Sequence, residues 1–307
     1  MRDRKGARSV RFLLGLADRY APGLGARLGV RLWLTIPPAA RRSAGATSAG
    51  STSASGTPTT AATTGAGPGA REVLDSGVVT ETWGDGPPVY LLHGWAGYRA
   101  QFAAFVEPLV RAGFRVIAID APGHGESGPG RHGRGRADMV DFIGALRSAA
   151  TRYGQPHAVI GHSFGASAVA VAALDGLRAE RLVLIAPVSN VASGLDFFAR
   201  ISGLGSRTLS RMVPRMERVV GRPVADFDIA LRSAEREELP PALVIHDTQD
   251  KEVPFGNGAL VGGAWPGGRL VPTEGLGHKR ILRDAGLVST VIGFVAGKQY
   301  AVMNTKS

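Results

Sequence analysis

From residue 71 onward the chain alternates short apolar runs with helix-length segments, and this rhythm restricts the fold more than any other feature. The runs "VYLLHG" (89–94), "RVIAID" (115–120), "HAVIGH" (157–162), "RLVLIA" (181–186) and "ALVIHD" (242–247) are apolar almost throughout. Strands half-exposed to water would alternate apolar and polar residues; near-continuous runs fit a parallel sheet covered on both faces. "VVTETW" (78–83) and "RLVPTE" (269–274) read as two further strands, and helices are expected around 100–112, 136–153, 164–177, 255–263 and 279–297. The alternation predicts an α/β fold, a doubly wound and mostly parallel sheet. About fifty residues separate the strands ending near Ala186 and starting near Ala242, far more than one crossover needs. The insertion, about 188–240, reads as a small helical lid. Its segment "RTLSRMVPRMERVVG" sets Leu209, Met212, Val213, Met216 and Val219 on one stripe. Arg207, Arg211, Arg215, Arg218 and Arg222 fall between them and read as a solvated face.

Two segments precede this domain, expected over 71–298, and a short tail, 299–307, follows it. Residues 43–70 contain only Ser, Thr, Ala, Gly and Pro and cannot bury enough surface to offset ordering, so they read as a disordered linker. Residues 1–42 hold ten basic side chains against Asp3 and Asp18, most of the net charge of +11. The positive charge therefore belongs to an arm and does not argue for a nucleic-acid partner of the main domain. Within the arm Phe12, Leu13, Leu16, Tyr20, Leu24, Leu28 and Leu32 recur at mostly helical spacing, with Pro22-Gly23 as a break. Two readings follow: a helix docked on the main domain, or an interfacial membrane contact through residues 1–36. Charges interrupt every run long enough to span a bilayer, and the apolar stretch "VRFLLGLAD" breaks at Asp18, which argues against a cleaved secretory leader. A cytoplasmic protein, at most peripheral to the membrane, is expected. The absence of cysteine excludes disulfides and thiolate chemistry.

The chemistry centres on "GHSFG". In a chain with 43 glycines the five letters alone are weak, so the context decides. Ser163 ends an apolar strand and precedes an Ala/Val-rich helix, and Gly161 and Gly165 allow the tight turn that lifts a hydroxyl above a sheet. The Phe164 amide then lies at a helix N-terminus, suited to developing oxyanion charge. A serine needs a base. His278 in "EGLGHKRIL" follows the last expected strand and is preferred over His93, His124 and His162. "HDTQDKEVP" offers Asp247, Asp250 and Glu252 as the acid that orients the base; Asp250, beyond the strand end, is preferred. The loop after "VYLLHG" supplies His93 and Gly94 as support and the Trp95 amide as a second oxyanion donor.

"HGWAG", "DAPGHGES", "GHSFGAS", "HDTQDKEVP" and "GLGHKRIL" occur in an order and spacing that resemble the α/β-hydrolase fold family, most of all its bacterial carboxylesterase-like serine hydrolases. The resemblance implies a Ser163, Asp250, His278 triad with the Trp95 and Phe164 amides as oxyanion hole, no cofactor and no metal. It implies cleavage of an ester or related acyl bond in a small-molecule substrate. An acyltransferase on the same triad and a silent binding protein on the same fold are the alternatives. "GHGESG", Gly123 to Gly128, matches a dinucleotide-binding pattern, but Pro129 and a glycine- and arginine-rich loop follow where that motif needs a helix. Phe197, Phe198 and Phe255, with the apolar lid stripe, suggest an apolar acyl pocket.

Overall fold

A computed structural model describes residues 11, 13–37 and 67–297. Most of the expected linker and the tail 299–307 lie outside the described residues. The strands β1 (Ala70–Val73), β2 (Val79–Trp83), β3 (Pro88–Leu92), β4 (Arg115–Asp120), β5 (Ala158–His162), β6 (Arg181–Ile185), β7 (Ala242–Asp247) and β8 (Gly268–Thr273) form one sheet in the order β1-β2-β4-β3-β5-β6-β7-β8. β1 and β2 pair antiparallel, as do β2 and β4, and the remaining pairs are parallel. β1 was not anticipated. It is four residues at an exposed edge, and its sequence AREV carries no buried run. Residues 67–70, read as the end of the linker, are tied to the sheet instead: Trp83 Nε1 donates to the Gly67 carbonyl at 3.0 Å and Ala70 opens β1.

The central strands are buried on both faces and share their residues between two cores. Val89 and Leu91 of β3 join one cluster with α2 (Ala103–Arg111) and the last helix; Tyr90 and Leu92 join the other with α3 (Met139–Tyr153) and α4 (Phe164–Leu174). This is why those runs lack polar residues. All of α4 after Phe164 is buried, which accounts for its small apolar composition on every side.

Between β6 and β7 the chain forms α5 (Val191–Ser202), α6 (Ser206–Val220) and α7 (Ile229–Ala234). Arg222, expected on a solvated face, instead clamps this insertion to the end of α4. Its guanidinium donates to both Asp175 oxygens, at 2.6 and 2.8 Å, and to Asp226 at 2.9 Å, while Arg232 donates to Asp175 at 2.9 Å. Burial would raise the Asp175 carboxyl, but these bonds hold it below its ordinary range. β7 leads into α8 (Gly256–Ala264), and α9 (Ala285–Val295) closes the fold.

The arm is helical over 13–20, breaks at Ala21, and resumes as α1 (Pro22–Trp33) with proline in the first turn. α1 lies on α6. The residues it buries are Gly25, Ala26, Gly29 and Val30, not the leucines of the stripe read from sequence. A Cβ at Gly25 would lie 2.9 Å from Thr208 Oγ1, and one at Gly29 would lie 2.9 Å from Met212 Sδ, so glycine sets the approach of the two helices. Asp18 adds a polar tie by accepting the Thr208 N–H at 2.7 Å in the first turn of α6. Gly29→Leu should therefore overpack this contact, lowering unfolding free energy by about 1–3 kcal/mol in urea titration and speeding tryptic cleavage at Arg27 and Arg31.

Candidate active site

β5 ends at His162 and α4 begins at Phe164, leaving Ser163 as the entire connection. Its backbone sits at φ 54°, ψ −123°, a region that non-glycine residues rarely occupy. The turn is held from outside: Ser163 N–H donates to the Ile185 carbonyl at 2.7 Å and its carbonyl accepts Ser167 N–H at 3.1 Å. The neighbouring glycines are required by contact. A Cβ at Gly161 would lie 2.6 Å from Ala166 Cα, one at Gly165 would collide with the His93 carbonyl, and one at Gly94 would lie 2.9 Å from Ser163 Cβ.

Three loops converge at this edge of the sheet. His278, on a one-turn helix after β8, brings Nε2 to 2.9 Å from Ser163 Oγ, and its Nδ1 lies 2.6 Å from Asp250 Oδ2 in the loop after β7. Asp250 is fixed in turn. Its Oδ1 accepts the N–H groups of Glu252 at 2.8 Å and Val253 at 2.9 Å, and its side chain is fully buried. Burial alone would raise this carboxyl; hydrogen bonds from His246, His278 and the Val253 amide outweigh it and hold the group well below the carboxylate range. Asp247 has a different task. Its oxygens accept Gln249 N–H, Thr273 Oγ1–H and Leu276 N–H, stitching together the loops that carry Asp250 and His278.

Two histidines not anticipated as supports stand behind this chain. His162 Nε2–H donates to the His278 carbonyl at 2.8 Å, and His246 Nε2–H donates to the Val253 carbonyl at 3.0 Å while lying 3.5 Å from Asp250 Oδ2. No spacing rule points to either; His162 is beside the serine and His246 is inside a buried strand. His93 braces the opposite loop, accepting Ala121 N–H on Nε2 at 3.0 Å and donating from Nδ1 to the Gly94 carbonyl at 2.7 Å. That pairing fixes its tautomer. Burial pushes His93 down to about 4 and His162 down to about 3, so both stay neutral near pH 7. The cluster of His132, Asp138 and Asp141 is spent on helix capping: Asp138 and Asp141 exchange side-chain and backbone bonds at the start of α3, each at 3.0 Å, and His132 bonds Asp138 at 2.6 Å.

A cavity of about 710 Å³ opens over Ser163 and His278, and Gly94, Trp95 and Phe164 also line it. Its outer wall is apolar: Phe197 and Phe198 from α5, Met216 and Val220 from α6. Phe255 is not part of it and packs on His246 instead. The arm supplies Leu32 and Trp33, the latter edge-on to Phe198 at 5.2 Å. The stretch 123–128 is a loop with no helix before α3 at Met139, the wrong setting for a dinucleotide.

The family model described as alpha/beta hydrolase fold matches residues 87–231. The pimeloyl-[acyl-carrier protein] methyl ester esterase of Nitrosomonas europaea is 27% identical over 242 residues, covering 66% of this chain and 92% of that protein. The dihydrolipoyllysine-residue acetyltransferase component of the acetoin cleaving system of Cupriavidus necator is 33% identical over 111 residues, 36% of this chain and 28% of that protein. The chain spans well under half the length of the first curated relatives it matches. Among solved structures, a hydrolase from Pseudomonas aeruginosa superposes with a TM-score of 0.57 at 20% identity, covering 76% of this chain and 99% of that one, a likeness of fold.

The buried histidines give stability a pH dependence. Burial, then neighbouring His93, lowers His124 to about 3, so on acidification the unfolded chain takes up that proton first. The contribution is intact above the unfolded value of about 6.5 and is lost as pH falls towards the folded value. Relative to His124→Gln, the wild type should lose roughly 1.4 kcal/mol per pH unit between about pH 6 and 4, read from denaturation curves at each pH.

Proposed function

We propose that this chain, whose residues 87–231 match the α/β-hydrolase fold model, is a serine hydrolase of that family that cleaves a carboxylic ester or related acyl bond through an acyl-enzyme. The observation that carries this reading is the continuous hydrogen-bonded chain from Ser163 Oγ through His278 to the buried Asp250 carboxylate. With Asp250 ionised, Nδ1 of His278 keeps its proton and Nε2 is free to accept one. Ser163 Oγ attacks the acyl carbonyl as its proton passes to Nε2. The N–H groups of Trp95 and Phe164 receive the oxyanion, and the imidazolium returns the proton to the departing alcohol. Water, deprotonated by the same imidazole, then releases the acid.

The cavity wall favours an apolar acyl group. Phe197, Phe198, Met216 and Val220 line it from α5 and α6, with Glu217 the one charged side chain those helices bring to it, and Trp33 closes one side, so acyl length is set partly by a residue from the arm. The esterase name of the Nitrosomonas europaea relative supports the choice of an ester as the bond cleaved.

A fluorophosphonate probe should label the wild type on Ser163 alone and leave Ser163→Ala unlabelled, with the modified peptide mapped by mass spectrometry. Asp250→Asn should keep the fold and lower kcat on p-nitrophenyl esters by about 10³–10⁴-fold, since the imidazole loses its orienting charge. A folded wild type that neither takes the probe nor turns over esters would replace this reading with that of a silent binding protein. Trp33→Ala should raise the ratio of kcat/KM for long over short acyl esters by about threefold or more, because it deepens the apolar wall.

A further inference from the structure

α1 meets α6 chiefly through small residues, and although Leu14, Leu34 and Ile36 of the arm are buried, a row of its other large apolar side chains faces outward. Leu24 is 63% and Leu28 39% exposed on α1, and in the preceding helical stretch Leu13 is 57%, Leu16 41% and Tyr20 71% exposed. A surface helix ordinarily lays such side chains on the core. Here Gly25, Ala26, Gly29 and Val30 make that contact, so docking leaves the outward row unexplained. Isolated exposed leucines are unremarkable, but a row at three- and four-residue spacing through two successive helical stretches is a contiguous apolar strip.

The strip is laced with cations. Arg19 and Arg27 are exposed between its members and Arg11 and Arg31 at its two ends, and Arg207 and Arg211 are exposed on the adjoining α6. Among the described residues none of these six arginines makes an ion pair. The nearby acids are already engaged: Asp18 accepts Thr208 N–H, and Glu217 accepts Val224 N–H at 3.0 Å. Apolar side chains bordered by unpaired arginines match the depth profile of a bilayer surface, where leucines enter the acyl boundary and guanidinium groups meet phosphates.

We propose that this face, formed by residues 13–31 with the flanking arginines of α6, docks the protein on membranes that carry anionic lipid headgroups. No helix among the described residues is long and apolar enough to cross a membrane, so the contact is interfacial. A second copy is a poor occupant, because a symmetric pairing would bring two sets of unpaired arginines together. α1 runs directly from the strip into the cavity wall at Leu32 and Trp33. If the hydrolase reading also holds, the acyl chain enters Ser163's cavity from the lipid phase; the docking itself does not rest on that reading.

The test is flotation of the full chain with vesicles of phosphatidylcholine alone and of phosphatidylcholine mixed with phosphatidylglycerol. The wild type should float with the mixed vesicles, stay behind with phosphatidylcholine alone, and be released by added salt. The double variant Leu24→Ser/Leu28→Ser and the double variant Arg27→Glu/Arg31→Glu should each lower partitioning by about tenfold or more. Because these residues are exposed, both variants should keep the wild-type melting temperature and near-ultraviolet dichroism, which separates lost docking from lost folding. The proposal is overturned if the wild type stays unbound at low salt, or if folded variants float as well as the wild type. It is also overturned if sedimentation velocity shows a dimer that the leucine variant abolishes while vesicle binding is absent. Flotation reads binding alone, so a protein that refuses the fluorophosphonate probe still decides this question.

Discussion

One strained residue organises the centre of this molecule. Ser163 has to turn the chain from β5 into α4 with no spare residue, at a positive φ that costs on the order of 1–3 kcal/mol. The surroundings make that conformation the only one available. The Ile185 carbonyl on β6 takes its N–H, α4 is buried directly behind it, and Gly161, Gly165 and Gly94 remove every Cβ that would push the turn outward. The strain is thus supported by two buried central strands, β5 and β6, and the buried helix α4. This is also why the hydroxyl stands proud of the sheet, beneath the cavity and within reach of a side chain from another loop.

The supports of that other side chain are mostly backbone carbonyls and amides, not a second layer of charges. His278 is held at its carbonyl by His162 and at its ring by Asp250; Asp250 is held by two amides and by His246; Asp247 ties the two loops at their roots. His162, kept neutral by burial, braces without adding charge beside the imidazole. A bare carboxylate, lowered by its bonds and closed to solvent, is then the dominant electrostatic partner of His278.

What could be read from sequence divides along physical lines. Ser163, Asp250 and His278 sit at strand ends, and the buried strands advertise themselves by continuous apolar runs, so the order of loops gave both the sheet and the three residues that meet. Short-range logic failed where partners are distant. AREV carries no strand signal because it pairs only at an edge; Arg222 looks like its solvated neighbours until Asp175, 47 positions away, is brought to it. The arm inverted the usual rule. Its leucines formed the visible helical stripe, while the closest approach to α6 is at Gly25 and Gly29, residues whose value lies in lacking bulk.

That inversion bears on how the cavity is built. The family match runs over residues 87–231, and so includes most of the insertion and Ser163 but not the arm. The sheet with its inserted helical cover, taken without the arm, would leave the side of the cavity next to α5 open. α1 fills that side: Trp33 meets Phe198 edge-on, its ring tip sits against Gly194, and Ile36 reaches into the main core beside Gly123. A segment that both walls the cavity and presents its own leucines and arginines outward couples the shape of the acyl site to whatever the outer face touches. Any force that lifts α1 from α6 must break the Asp18 to Thr208 bond and uncover Met212 and Leu204. The inner wall therefore persists only while the arm stays seated, and a surface that presses on its outer face favours the same seated state.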